Sequence, residues 1–325
     1  MNKKLFLIAA AFLALCFVGL AYMNNSIAEQ IDDALTDQIR GIEKEGYLEI
    51  SYDDVTYNLL TQTMTFEDFE FTESKDFIEI GTIEFKIGLG TLRRLSESGT
   101  DAYLDDFSVT CYEMDASVDR EGFEMTKGAL GYSGRISMKD SDFSFRSLRI
   151  ELEGLKSRSK DVPFELANFF FYADAGDNGL DLETIIDMDE ETLVSLREIE
   201  IETKISDLDL PPVSTKEMEL DEIGIETLLI HDLEFNCNRM GDDLTFFFGF
   251  DTDMAEASLD CAIDFSESEN DPDMEIELSL NNIDRDIQRV LEKEVDWEKG
   301  RAEYEFEFDG LLSELNIAVQ ESLMK

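Results

Sequence analysis

Histidine and tryptophan each occur once in this chain, proline and cysteine four times each, and 27 basic residues stand against 76 acidic ones. With His231 as the sole imidazole, a histidine-based catalytic triad or zinc centre has only one place to form. His231 occupies a polar spacer between Ile230 and Leu233, a slot that Asp or Glu often fills elsewhere, and so reads as surface. A formal net charge of -49 leaves no surface able to hold a phosphate backbone, which excludes nucleic acid as a partner. The acids are spread singly, as in a solvated shell; the alternative is a surface presented to a basic partner. Beyond Cys16 there are three cysteines, Cys111, Cys237 and Cys261, so one disulfide at most forms. Cys237 and Cys261 flank the Phe-rich segment 242–250 and are the candidate pair, with free buried thiols as the alternative.

Cofactor motifs are missing as well. DAGDNG at 174–179 opens like a calcium loop, but Gly176 stands at its third position and Ile185 where the bidentate Glu belongs. Gly88 and Gly90 have no phosphate-loop continuation, so both places read as turns. No catalytic residue, metal site or cofactor is assigned, and the chain is expected not to be an enzyme.

The one long apolar run is 5–23, uncharged and free of proline, which as a helix reaches roughly 28 Å and is long enough to span a bilayer. Lys3 and Lys4 precede it, while Glu29, Asp32 and Asp33 follow, so the N-terminus is expected in the cytoplasm and the bulk of the chain outside. Gly19 and Ala21 would suit a signal peptidase, and Cys16 only loosely resembles a lipidation cysteine. Ile27, Ile31, Leu35, Ile39 and Ile42 continue at helical spacing, which favours a retained anchor followed by a stalk.

After Gly46 apolar and acidic residues alternate, the period of a half-buried strand. One unit recurs eight times: apolar, two mostly polar, apolar, one mostly polar, apolar. It occurs as Phe66, Phe69, Phe71; Ile80, Ile83, Phe85; Leu104, Phe107, Val109; Phe145, Leu148, Ile150; Leu196, Ile199, Ile201; Ile205, Leu208, Leu210; Leu220, Ile223, Ile225; and Ile230, Leu233, Phe235. The step of three would throw later side chains to the opposite face unless the strand bends there, so the repeat predicts a recurrent bend. The expected fold is mainly β: a curled antiparallel sheet, taco-like or a sandwich, with an N-terminal transmembrane helix and a few short helices. Short helices are predicted over 187–196, 285–295 and 311–323. The expected organisation is an anchor (1–23), a helical stalk (24–46) and two β-rich halves (47–155 and 164–325), separated by the loop 156–163, with a second break at Pro211 and Pro212.

The segment 50–87, through Tyr52 to Val55, Tyr57 to Leu60 and Thr65 to Phe71, resembles the opening module of AsmA-like bacterial envelope proteins and their YdgA-type relatives. The resemblance implies a β-rich periplasmic domain, inner-membrane anchorage and a part in lipid traffic or outer-membrane assembly. It supplies no catalytic residue. The aromatic runs 169–172 and 246–248 place apolar side chains on both faces of a strand, and each face needs a cover. Phe66, Phe69, Phe71, Ile83, Phe85, Phe107, Leu148, Phe170, Leu233, Phe235 and Phe247 are the candidate apolar interior, facing either a dry core or a lipid. Expected partners are the membrane through 5–23, a lipid ligand and another envelope protein.

Overall fold

Alternating strands joined by short connections pair with their sequence neighbours, and this chain does so almost throughout. The computed structural model describes residues 27–30, 32, 33, 36, 40, 48–73, 75–88, 90, 91, 103–118, 121–137, 143–160, 162–176, 180, 181, 198–217, 227–266, 268, 271–294 and 300–323. The predicted membrane segment and the helix expected over 187–196 lie outside them. Among the described residues no helix is long and apolar enough to cross a membrane.

The strands are β1 (Leu48–Ser51), β2 (Asp54–Asn58), β3 (Thr63–Glu73), β4 (Asp76–Ile87), β5 (Tyr103–Val118), β6 (Glu121–Ser137), β7 (Phe143–Ser157) and β8 (Phe164–Asp174). There follow β9 (Leu180–Asp181), β10 (Glu198–Leu210), β11 (Leu228–Met240), β12 (Asp243–Thr252), β13 (Glu256–Asp264), β14 (Asp273–Asn281) and β15 (Tyr304–Leu311). All fifteen form one antiparallel sheet in the order β1-β3-β4-β5-β6-β7-β8-β10-β11-β12-β13-β14-β15, with β2 also beside β3 and β9 beside β7. The sheet continues through the loop after Ser157, because β7 and β8 pair directly across it.

Among the described residues, besides the helical residues before β1, the sheet carries the helices α1 (Pro212–Glu217), α2 (Arg285–Glu294) and α3 (Leu312–Leu323). Pro211 ends β10 and Pro212 starts α1, where its missing N–H costs nothing. Ser214 and Thr215 are fully buried; the Ser214 hydroxyl donates to the Pro163 carbonyl and that of Thr215 to the Pro212 carbonyl at 3.1 Å. The two breaks marked in the sequence are thus tied together.

The recurrent bend is present as a crease running across the strands. Asp68, Glu113, Gly154 and Asp207, on β3, β5, β7 and β10, have φ of 49°, 56°, 64° and 51°. Their intervening register partners are Gly81, Thr126, Ala167 and His231, so the eight positions form one line. Each unit that starts at Phe66, Ile80, Ile205 or Ile230 has its step of three on this line. A second irregular line crosses β5 and β6, where the register shifts between Asp105 and Phe107 and between Ser133 and Gly134.

The expected curl and the expected sandwich both need correction. The sheet is open, neither closed nor strongly curled, and no second sheet packs on it among the described residues. Along the crease the register is constant from β3 to β11, as where Glu67 pairs with Thr82 and Phe69 with Ile80, and a residue is inserted only at its end, at His231 against β12. Left-handed residues on alternate strands turn the pleat over in place, so the bends re-aim side chains without rolling the sheet into a trough.

Candidate functional site: the apolar face of the sheet

Register partners in an antiparallel pair point to the same face, so side-chain rows can be followed across the whole sheet. One row runs Phe66, Ile83, Cys111, Gly128, Leu152, Phe169, Ile205, Leu233, Phe250, Ala257, Leu280, Tyr304. The next, two residues along, links Met64, Phe85 and Val109 through Phe171 and Phe235 to Phe248, Leu278 and Phe306. A third joins Ile87, Phe107, Tyr132, Leu148 and Ala173 to Ile201, Cys237, Phe246, Cys261, Ile276 and Phe308. Rings meet within this face: Phe107 stacks on Tyr132 at 5.2 Å between centroids and lies 5.7 Å from Phe85.

The crease keeps residues beyond it on the same face. Phe69 is in register with Ile80, Ile80 with Met114, and Met114 with Met125. The Met125 thioether sulfur lies 3.0 Å from where a Cβ on Gly128 would stand, and Gly128 belongs to the first apolar row. Residues three apart therefore share a face here, and two successive polar residues, such as Glu67 and Asp68, are exposed between them. Phe66, Phe69, Phe71, Ile83, Phe85, Phe107, Leu148, Leu233 and Phe235 all line this face, and every one is half-buried.

Phe170 and Phe247 stand on the opposite, polar face, as odd neighbours of inward pairs. Phe170 shares its row with Glu151 and Lys204 and is covered by the Arg149 guanidinium, 5.2 Å from the ring centroid. Phe247, between Asn236 and Asp260, lines an open recess of about 560 Å³ with Thr245, Glu275 and Glu277.

Among the described residues, cover on the apolar face is concentrated at its ends. Ile27 and Ala28, in the helical residues before the sheet, pack on Val55, Tyr57 and Met64, and the Tyr52 hydroxyl donates to Asp32 at 2.6 Å. At the other end Ile283, Ile287, Leu315, Ala318 and Val319 pack on Cys261, Met274, Ile276, Tyr304 and Phe306. Tyr304 and Ser322 share a hydrogen bond of 2.9 Å that pins α3 back along β15. Between these caps the described residues place no second layer over β4 to β12, and the central cluster of Ala173, Ala175 and Ile199 packs only with residues of the sheet itself.

The polar face carries its few cations in the middle. Lys127 donates to Glu153 at 2.7 Å, Lys204 lies 2.9 Å from Glu202 and 3.2 Å from Glu234, and Arg158 reaches Glu124 at 3.0 Å and Asp115. The hydrogen bonds to Glu153 and to Glu202 and Glu234 hold the Lys127 and Lys204 ammoniums above their usual range. These pairs are partly open to solvent, so each contributes about 1 kcal/mol or less.

Cys111, Cys237 and Cys261 are free thiols. The bridge considered from sequence is prevented by β12: Cys237 and Cys261 both pair with Phe246, one on each side, leaving them two strand spacings apart, about 10 Å, beyond disulfide reach. His231 is exposed at a register shift between Ile230 and Asp232. Asp174 accepts from the Gly176 amide at 2.7 Å and the Tyr172 hydroxyl at 3.0 Å, an Asx turn in the segment that resembles a calcium loop. Among the described residues no group of His, Cys, Asp and Glu is placed to hold a metal ion.

Comparison with family models, with curated proteins and with solved structures finds no match.

Proposed function

We propose that this chain is a membrane-tethered envelope protein that lays the acyl chains of lipid along the apolar face of its sheet, receiving lipid from the membrane that anchors it and passing it on within the envelope. In this reading residues 5–23 form a single-pass inner-membrane anchor, the sheet lies in the periplasm, and its role is in lipid traffic or outer-membrane assembly, in keeping with the AsmA-like features of 50–87.

One observation carries the reading: three rows, apolar except at Gly128 and Thr203, run across the sheet, capped at both ends and left uncovered between by the described residues. Soluble chains rarely expose contiguous apolar area beyond a few hundred Å², and larger patches mark binding surfaces. With strands about 4.8 Å apart, the thirteen-strand path is roughly 60 Å long, ample for acyl chains laid across it. Each methylene removed from water on such a surface contributes up to about 0.8 kcal/mol. A dry core would instead need a second layer, for which the described chain supplies only the short helices α1, α2 and α3 and the residues before β1.

The test is organic extraction of the full chain, purified in detergent and washed, followed by mass spectrometry against a detergent-only control. Co-purifying lipid that falls when Phe171 and Phe248 are replaced by Ser supports the reading. No lipid above the control, from a chain that is folded, sinks it.

A further inference from the structure

The two edges of the sheet are unlike. At one end β1 and β2, four and five residues long, are interrupted at Tyr52 and Asp53, and this broken edge lies beside the helical residues before the sheet. Short, interrupted edges resist pairing with other chains. At the other end β15 is eight residues long, YEFEFDGL, with no proline, lysine or bulge; β14 pairs one side of it, and no described strand pairs the other.

Charge is distributed to match. Strands β12 to β15 contain no Lys or Arg, and their outward residues oppose like charges: Asp260 faces Glu277, Glu277 faces Glu307, Glu275 faces Asp309, and Asp264 stands between Asp243 and Asp273. Directly opposed like charges destabilise a sheet, and the lysines and arginines that neutralise β5 to β10 are absent here. Inward, Tyr304 and Phe306 are buried beneath α3 and Phe308 is half-buried beside them, so the apolar face reaches the edge under that helix. Three of the six most exposed large apolar residues among those described, Leu311, Leu312 and Ile317, collect on β15 and α3.

We propose that the β15 edge receives an extended segment of a partner protein as a further antiparallel or parallel strand, one that alternates apolar residues, directed to the Tyr304–Phe306–Phe308 side, with Lys or Arg directed to Glu305, Glu307 and Asp309. Main-chain hydrogen bonds to β15 supply affinity, and the alternation of apolar and basic residues selects the sequence. A second copy of this chain is disfavoured as occupant, because two β15 edges would set their acids against each other.

The probe is a blocked ten-residue peptide alternating valine and lysine, added to the full chain in detergent micelles and followed by fluorescence anisotropy and hydrogen exchange. The proposal predicts saturable binding that weakens more than tenfold between low and high salt, with slowed exchange confined to 304–311 and none at 48–58. Glu305→Lys with Glu307→Lys, at exposed positions, is expected to weaken binding at least tenfold while the melting curve is retained. A peptide methylated on alternate backbone nitrogens is expected to lose binding to the unaltered chain, an arm that needs no variant to fold. Absence of binding at low salt, protection elsewhere in the sheet, equal binding of the methylated peptide, or concentration-dependent protection of β15 in the chain alone would each overturn it. None of these outcomes depends on lipid, which is measured separately by extraction.

Discussion

Gly154 is the point at which the crease is most exposed to a single substitution. Its φ of 64° is left-handed, and a Cβ there would lie 2.4 Å from the Thr126 hydroxyl oxygen and 3.1 Å from the Thr126 Cβ. Gly154→Ala thus meets two penalties: about 1–2 kcal/mol for the left-handed backbone and about 1–3 kcal/mol for overpacking against Thr126. A gain of about 0.4–1 kcal/mol from a less flexible unfolded chain offsets part of this, leaving a loss of roughly 1–5 kcal/mol. Gly131→Ala is the control: it lies on the same polar face of the neighbouring strand, without positive φ, and its added Cβ would find only the Arg149 Cβ at an ordinary 3.6 Å. That change should stay within about 0.5 kcal/mol, as surface substitutions do. Equilibrium urea unfolding of both variants measures the difference, and Thr126→Ala in the Gly154→Ala background should recover part of the loss, since it removes the nearer atom. Equal midpoints for the two glycine variants would refute the crease as a strained, specified feature.

Burial pushes the Cys261 thiol from its ordinary 9.0 up to about 11, so the protonated form is favoured in the folded chain, and that stability, complete below the unfolded thiol's value, is lost as pH rises through 11. Iodoacetamide at neutral pH should therefore label Cys261 slowly in the folded chain and quickly in urea; fast native labelling would contradict its burial. The Tyr57 hydroxyl is buried with no hydrogen-bond partner among the described residues, so Tyr57→Phe should be neutral or stabilise by about 1 kcal/mol in the same urea assay, and a clear loss would reveal a partner. Opposed acids such as Asp260, Glu277 and Glu307 predict that the melting temperature rises with sodium chloride, as screening shortens the Debye length to about 10 Å at 0.1 M; a flat response would mean these charges do not interact.

Local features of this fold were legible because they repeat. Phe66–Phe69–Phe71 and Ile205–Leu208–Leu210 announced a bend by their step of three, and Asp68 and Asp207 supply it with left-handed backbone. The helices expected over 285–295 and 311–323 were equally plain, since apolar spacing acts within a few residues, whereas the loop 156–163 does not interrupt the sheet, because β7 and β8 pair across it. The global shape was not legible: a bend in one strand does not say whether its neighbours bend with an inserted residue, as β11 does at His231, or at constant register, as β3 to β10 do. Phe170 and Phe247 were grouped with the interior by composition, although parity with Phe169, Phe171, Phe246 and Phe248 carried the signal that they face the other way. Cys237 and Cys261 looked adjacent only while β12 was not counted between them.

Those odd neighbours also supply the most direct test of lipid on the apolar face. A photo-crosslinking phenylalanine analogue placed singly at Phe171, Phe248, Phe170 and Phe247 compares adjacent positions on opposite faces of the same two strands. Irradiated in membranes and analysed by mass spectrometry, positions 171 and 248 should acquire lipid adducts while 170 and 247 do not; adducts equal on both faces, or absent from 171 and 248, would contradict the account.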